Sequence, residues 1–315
     1  MDEQVGKHVV AAPGNGNGNG HGDASSQGPP RLERPARALV GWMSPEQTIL
    51  FLCGKRIGET PPADRLEHAG TARQAVARRT PAAGDNIVLT GSPTELAGYV
   101  NALRTNPIGA QYFAEGWEVA LADLTRVRGF QQSVFTERAI ERVGDVDRDD
   151  LAALAALTLP TPQGTVPLPI QFDEQRNVFT ILSPDLNLRV MAHFIQQIND
   201  GQGGPTLPGI GFAVALLPSM MKVTEFQGSH YLVDGYHRAF GFLARGITQV
   251  PVFTRRVASF EEIGIPAGML PQGQFLGARP PFLPDYHDAE VSTEVSLPIA
   301  QKMVVIQALE LTPSG

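Results

Sequence analysis

The stretch Lys222 to Arg256 constrains this chain most, because its order of strand, turn, helix and strand is spelled out residue by residue. Val223–Phe226 and His230–Val233 are apolar-rich runs joined across Gln227-Gly228-Ser229, the composition of a hairpin with a glycine-bearing turn. Ala239, Phe240, Phe242 and Leu243 then form one apolar stripe, Arg245 sits in a last turn, and Gly246 is placed to take the left-handed position after a helix. The pattern predicts a central strand through Leu232-Val233, a helix over about Tyr236–Arg245, and a returning strand over Val250–Val257.

Where strand becomes helix stand Asp234-Gly235-Tyr236-His237-Arg238. A helix N-terminus carries unpaired backbone N–H groups and the positive end of the helix dipole, so an anion fits there. Gly235 lets backbone approach a ligand, Arg238 offers a planar fork that can hold a phosphate through two bonds, and His237 adds a donor on the same turn. The competing reading makes Asp234 an N-cap whose carboxylate accepts from the first turn, with His237 and Arg238 on a solvated face. A carboxylate beside a phosphate is repulsive, so Asp234 favours that second reading.

The run Tyr231-Leu232-Val233-Asp234-Gly235-Tyr236-His237-Arg238-Ala239, followed by Gly246-Ile247 and Val250-Pro251-Val252, resembles the signature of the ParB/sulfiredoxin superfamily. The resemblance implies an α+β fold, a mixed sheet with packed helices. It also implies that Gly235, Tyr236, His237 and Arg238 grip the phosphates of ATP or CTP, with magnesium as a companion. Several departures accompany it. Ala239 comes one position early, and Gln131-Gln132-Ser133 stands where partition-type members carry a Gln-x-Arg element. The glutamate of the free-serine kinase branch has no counterpart between Leu121 and Val134. Tyr236 occupies the place of sulfiredoxin's cysteine, and a phenol cannot do thiolate repair chemistry.

The rest of the chain divides by composition. Residues 1–38, with the Gly14–Gly20 glycine/asparagine tract, have almost nothing apolar to bury and read as a disordered tail. Residues 39–115 read as a mostly helical region, begun by Ser44-Pro45-Glu46 and again by Ser92-Pro93-Thr94-Glu95 as a capping box, with a helical piece near Thr71–Arg79. Residues 116–257 form the ParB-like part, opened by a strand over Trp117–Leu121 and carrying an insertion near 160–215. In that insertion two strands, Val166–Phe172 and Asn177–Leu182, precede a helix opened by Ser183-Pro184-Asp185 and running to about Ile198, then a loop over Gly201–Gly211. Residues 258–315 are an irregular extension, too short for the helix-turn-helix and dimerisation domains of partition proteins.

Charge and cysteine content narrow the function. Twenty-five basic against 32 acidic residues, a net charge of -7, argue against a surface devoted to nucleic acid, so DNA is not favoured as a partner. One cysteine, Cys53, leaves no internal disulfide and reads as a buried structural thiol. No apolar run approaches a membrane span, and the chain reads as cytoplasmic. Asp285, His287 and Asp288 are the other dense set of metal-ligand types, without ligand spacing, so no metal site is assigned. Two functions stay open. One is a phosphotransferase or nucleotide hydrolase acting on a small-molecule acceptor, with Asp234 or Glu225 as magnesium ligand or base and His237 assisting. The other is a non-catalytic, nucleotide-responsive regulator.

Overall fold

The thirty-five-residue core stretch folds in the order its sequence spells. A computed structural model describes residues 32–82, 89–161, 168–198 and 207–307, all within one unit of the chain. The elements in chain order are β1 (Glu33–Ala38), α1 (Pro45–Leu52), α2 (Ala63–Arg78), β2 (Leu89–Gly91), α3 (Ala97–Thr105), α4 (Pro107–Ala114), β3 (Glu118–Asp123), β4 (Ser133–Phe135), α5 (Thr136–Val143) and α6 (Leu151–Thr158). They continue with β5 (Ile170–Asp173), β6 (Val178–Ser183), β7 (Leu188–Ile198), β8 (Leu207–Leu216), β9 (Lys222–Phe226), β10 (Ser229–Asp234), α7 (Tyr236–Ala244), β11 (Gln249–Arg256), α8 (Gln272–Phe275), β12 (Thr293–Pro298) and β13 (Lys302–Gln307). The fold is mixed α+β, built on several small sheets.

The main sheet has the order β10-β9-β11-β3-β2, so the strand through Leu232-Val233, expected to be central, is instead at the end of that order. β9 and β10 are a hairpin whose turn residues, Gln227 and Gly228, both have positive φ, the backbone that matches strand twist. β11 returns beside β9 in parallel, the connection between those two strands running through β10 and α7, and pairs antiparallel with β3 on its other edge. Val223, Leu232, Val250 and Val252 are fully buried in this sheet, and α7 lays Ala239, Phe240 and Phe242 into the same core. α7 approaches α5 so closely at Gly241 that an added Cβ would collide with the Ala139 carbonyl oxygen, which sets glycine there.

A second sheet, β12-β1-β4, joins distant parts of the chain: Arg34 lies opposite Leu297 and Arg37 opposite Val134. Strand β1 and α1 therefore pack with the segment after residue 257, so the region 39–115 and the extension 258–315 share one core rather than standing apart. Cys53 is buried, its Sγ 3.3 Å from the Glu59 carbonyl oxygen.

Four local expectations are corrected. Ser44 does cap α1, in a reciprocal box with Gln47, but Ser92 caps nothing: a 3-10 turn over Thr94–Leu96 precedes α3 and Pro93 is its flanking residue. The helix near Thr71 begins eight residues earlier, at Ala63. The segment expected as a helix to Ile198 is instead strand β7, because Val190-Met191-Ala192-His193-Phe194-Ile195 finds a long antiparallel partner in β8, which takes up residues 207–211 of the expected loop. Asp234 is not an N-cap; Gly235 holds that position and no side chain caps α7. The tail expected over residues 1–38 is also corrected, since Glu33–Ala38 is strand β1, paired with β12 and β4; residues 1–31 lie outside the described residues, as do 166–167 of the expected strand and 201–206 of the expected loop.

Candidate functional site

Strand β10 delivers its last residue, Asp234, to Gly235, which turns the chain into α7 at φ 107°. An added Cβ there would sit 2.7 Å from Met221 Cγ, so the turn needs glycine for conformation and for space. The residues after it point in three different directions.

Arg238 is buried, and its guanidinium caps the C-terminus of α6. Nη1 donates to the carbonyl oxygens of Leu157 at 2.9 Å, Thr158 at 3.2 Å and Ser219 at 2.6 Å, and Nη2 donates to Ser219 Oγ at 3.0 Å. Ser219 Oγ in turn donates to Asp234 Oδ1 at 2.9 Å, so the hydroxyl couples the guanidinium to the carboxylate. Burial pushes Arg238 down to about 10, against the pull of Asp234. This fork grips its own backbone and not a cleft. Tyr236 is also in the core: its hydroxyl accepts from the Phe130 N–H at 2.9 Å, and burial raises its pKa. Tyr236 thus anchors the loop after β3, and Tyr286 donates to the Gln131 carbonyl in the same loop.

His237 takes the third direction. Its ring stacks on Phe135, centroids 6.0 Å apart and planes within 8°, and its Nε2 is buried with no hydrogen-bond partner among the described residues. Burial, and then the charges of Arg142, Arg138 and Arg238, push its pKa down to about 3, so the imidazole is neutral at physiological pH. It lines a cleft of about 540 Å³ together with Lys55, Gln131, Gln132, Ser133, Arg138 and Met269. A neighbouring hollow of about 360 Å³ shares Phe135, Arg138 and Ile299 with that cleft and adds charges of both signs, Arg34 with Glu141 and Asp185.

The cleft owes its polar wall to β4 and the first turn of α5. No side chain caps α5, so its N-terminal N–H groups open beside Ser133 and Phe135, and Arg138 rises from the same turn. Arg138 is half-buried and has no carboxylate within ion-pair distance among the described residues, although Asp185 and Glu141 attract it; it donates to the Pro184 carbonyl oxygen at 3.5 Å. Burial lowers its pKa, as does Arg142. Lys55 faces the cleft from a backbone with φ 59°, its ammonium 4.8 Å above the Phe51 ring.

Of the candidate site residues Glu225, Asp234, Gly235, Tyr236, His237 and Arg238, His237 is the one that lines this cleft, beside Gln131, Gln132 and Ser133. Gly235 shapes the turn, while Tyr236 and Arg238 lock elements together. Asp234 faces Ser219, and Glu225 lies three residues along β9 from the partner of Asp234, about 10 Å away by strand rise. Glu225 is ion-paired with Arg256 at 3.0 Å, so the structure does not bring it together with Asp234 or His237. Sequence reasoning missed Arg138 and Lys55. Arg138 was detectable as a basic residue in the first turn of a helix directly after Gln131-Gln132-Ser133; Lys55 carried no signal, since only the fold brings it there.

The described residues hold no group of three or more His, Cys, Asp or Glu side chains placed for a metal ion. Asp285 and Asp288 instead bind Arg79 at 2.8 and 2.9 Å. No helix among them is long and apolar enough to cross a membrane. Comparison with protein-family models, with curated proteins and with solved structures finds no match to this chain.

Proposed function

We propose that the chain binds a nucleotide or another phosphate-bearing small molecule in the Lys55–Arg138–His237 cleft and responds to it without turning it over. The carrying observation is the donor set: two cations, a neutral histidine and two amide side chains converge on one cleft, and no Asp or Glu is among its described lining residues. Such a wall suits an anion. Its described lining holds no carboxylate to act as base or to cage magnesium, so a magnesium ion would arrive held by the nucleotide's own phosphates.

The ParB/sulfiredoxin resemblance of Tyr231–Ala239 supports the same reading, with one change of roles. The phosphate grip passes from Arg238, whose fork is spent on carbonyl oxygens, to Arg138 on the neighbouring helix. The apolar part of the lining, Phe51, Met269 and Leu297, gives a base or similar ring its contact surface.

The test is calorimetry and thermal shift with ATP, ADP, CTP, GTP and inorganic pyrophosphate on the full chain. One of these is expected to bind, with Arg138→Ala weakening it at least tenfold, about 1.4 kcal/mol, and Arg138→Lys falling between. Binding by none of them, or unchanged affinity in a folded Arg138→Ala protein, overturns the proposal.

A further inference from the structure

We infer that β7 and β8 form an arm that pairs with the same arm of a second copy of this chain. Among the described residues these strands form a sheet of two, registered from Leu188 opposite Leu216 to Ile198 opposite Leu207. At strand rise the ribbon is about 35 Å long. Its base is fixed: Leu188 is buried, and the Leu217 N–H donates to the Asn187 carbonyl at 3.2 Å. Beyond the base it is bare. Val190, Met191, Phe194, Ile195, Ile210 and Phe212 are 51%, 53%, 50%, 73%, 69% and 44% exposed.

A two-stranded ribbon is marginal in water, and three or more strands are needed for a sheet to stand by itself. Proteins normally guard open strand edges with lysine, proline or another charge. Here Val190–Ile198 and Leu207–Leu216 contain no Asp, Glu, Lys or Arg. The two edges differ. β8 carries Pro208, which lacks a donor, and Gly209 and Gly211, which weaken a strand, whereas β7 runs from Val190 to Ile198 without proline or glycine. The edge open to pairing is therefore that of β7.

The occupant follows from the charge pattern. Beyond Arg189 at its base the ribbon carries no Asp, Glu, Lys or Arg for a charged partner to complement, but an uncharged apolar surface complements itself, and a two-fold dimer requires that self-complementarity. Antiparallel pairing of β7 with its copy gives a four-stranded sheet in the order β8-β7-β7-β8. Neighbouring residues of a strand point to opposite faces, so Phe194 and Ile195 flank the seam on opposite faces of that sheet. The seam itself is the β7 edge, whose backbone N–H and C=O groups a second β7 can pair.

Sedimentation of the full chain at micromolar concentration tests this. The expected result is a species of twice the chain mass. The Met191→Lys/Ile195→Lys variant, with both changes on β7, should dissociate at least tenfold more readily, with its circular dichroism and thermal midpoint preserved. A Cys53→Ser/Ile195→Cys variant, oxidised with copper–phenanthroline, should give a covalent dimer, and this keeps the idea testable if the lysine variant misfolds. A monomeric wild-type chain, or a dimer indifferent to the lysines and without the cross-link, overturns it. So does a monomer that floats with phosphatidylcholine vesicles, which would assign the arm to a lipid surface.

Discussion

Single residues at the β10–α7 junction carry separable duties, and substitutions should separate them. Gly235→Ala forces a side chain into φ 107° against Met221, and should cost about 1–3 kcal/mol in denaturant unfolding. His237 gives a pH signature. Its folded pKa of about 3 lies below the ordinary 6.5, so between those values the unfolded chain binds a proton that the folded chain refuses. Stability from this group is fully present above about pH 6.5 and falls as pH drops toward 3. His237→Phe, which keeps a ring stacked on Phe135, should flatten that acid limb when thermal midpoints are measured from pH 7 to pH 4. An unchanged limb would place the acid sensitivity elsewhere. The type and spacing of these residues were legible in the sequence, and the strand-turn-helix around them was too. The direction of each side chain was not. Arg238 looked like a phosphate ligand because its position in the first turn is local, whereas the carbonyls that occupy it, Leu157, Thr158 and Ser219, come from segments 19 to 81 residues away.

At the scale of elements, the sequence spoke clearly where local chemistry decides and poorly where a distant partner does. The reciprocal Ser44–Gln47 cap of α1 and the Gln227-Gly228 hairpin turn were legible because both are settled within a few residues. Ser183-Pro184-Asp185 resembles a helix start, yet β7 follows, since β-branched and aromatic residues there pair with β8 over ten positions of register. The junction of α2 with the turn at Asp285 has the same non-local character. Arg79 ends α2, holds Asp285 and Asp288, and lies 5.1 Å from the Trp42 ring. Asp285 is buried, so Arg79→Ala should leave an unpaired carboxylate and cost about 3 kcal/mol by chemical denaturation, the loss growing as that carboxylate ionises. A loss under about 0.5 kcal/mol would show the pair to behave as a surface contact.

For the molecule as a whole, the seam between β1 and β12 decides how it unfolds. Ala36, Ala38, Val295 and Leu297 belong to the same buried cluster as Leu232 and Phe242, so the described body should melt in a single calorimetric transition. Two resolved transitions, one for the segments flanking the main sheet, would contradict that. Composition suggested separate regions because helix-rich and irregular stretches look unlike the strand-rich middle, and antiparallel pairing between positions 33 and 298 leaves no mark in either local sequence. The same pairing has a consequence during biosynthesis. Strand β1 leaves the ribosome some 260 residues before its partner, and at about 5–20 residues per second it waits roughly 10–50 s with one edge unmet. Its Arg34, Pro35 and Arg37 are the residues that discourage a stray strand from pairing there meanwhile, so replacing them with valine should raise the aggregated fraction of nascent chains more than it alters the finished fold.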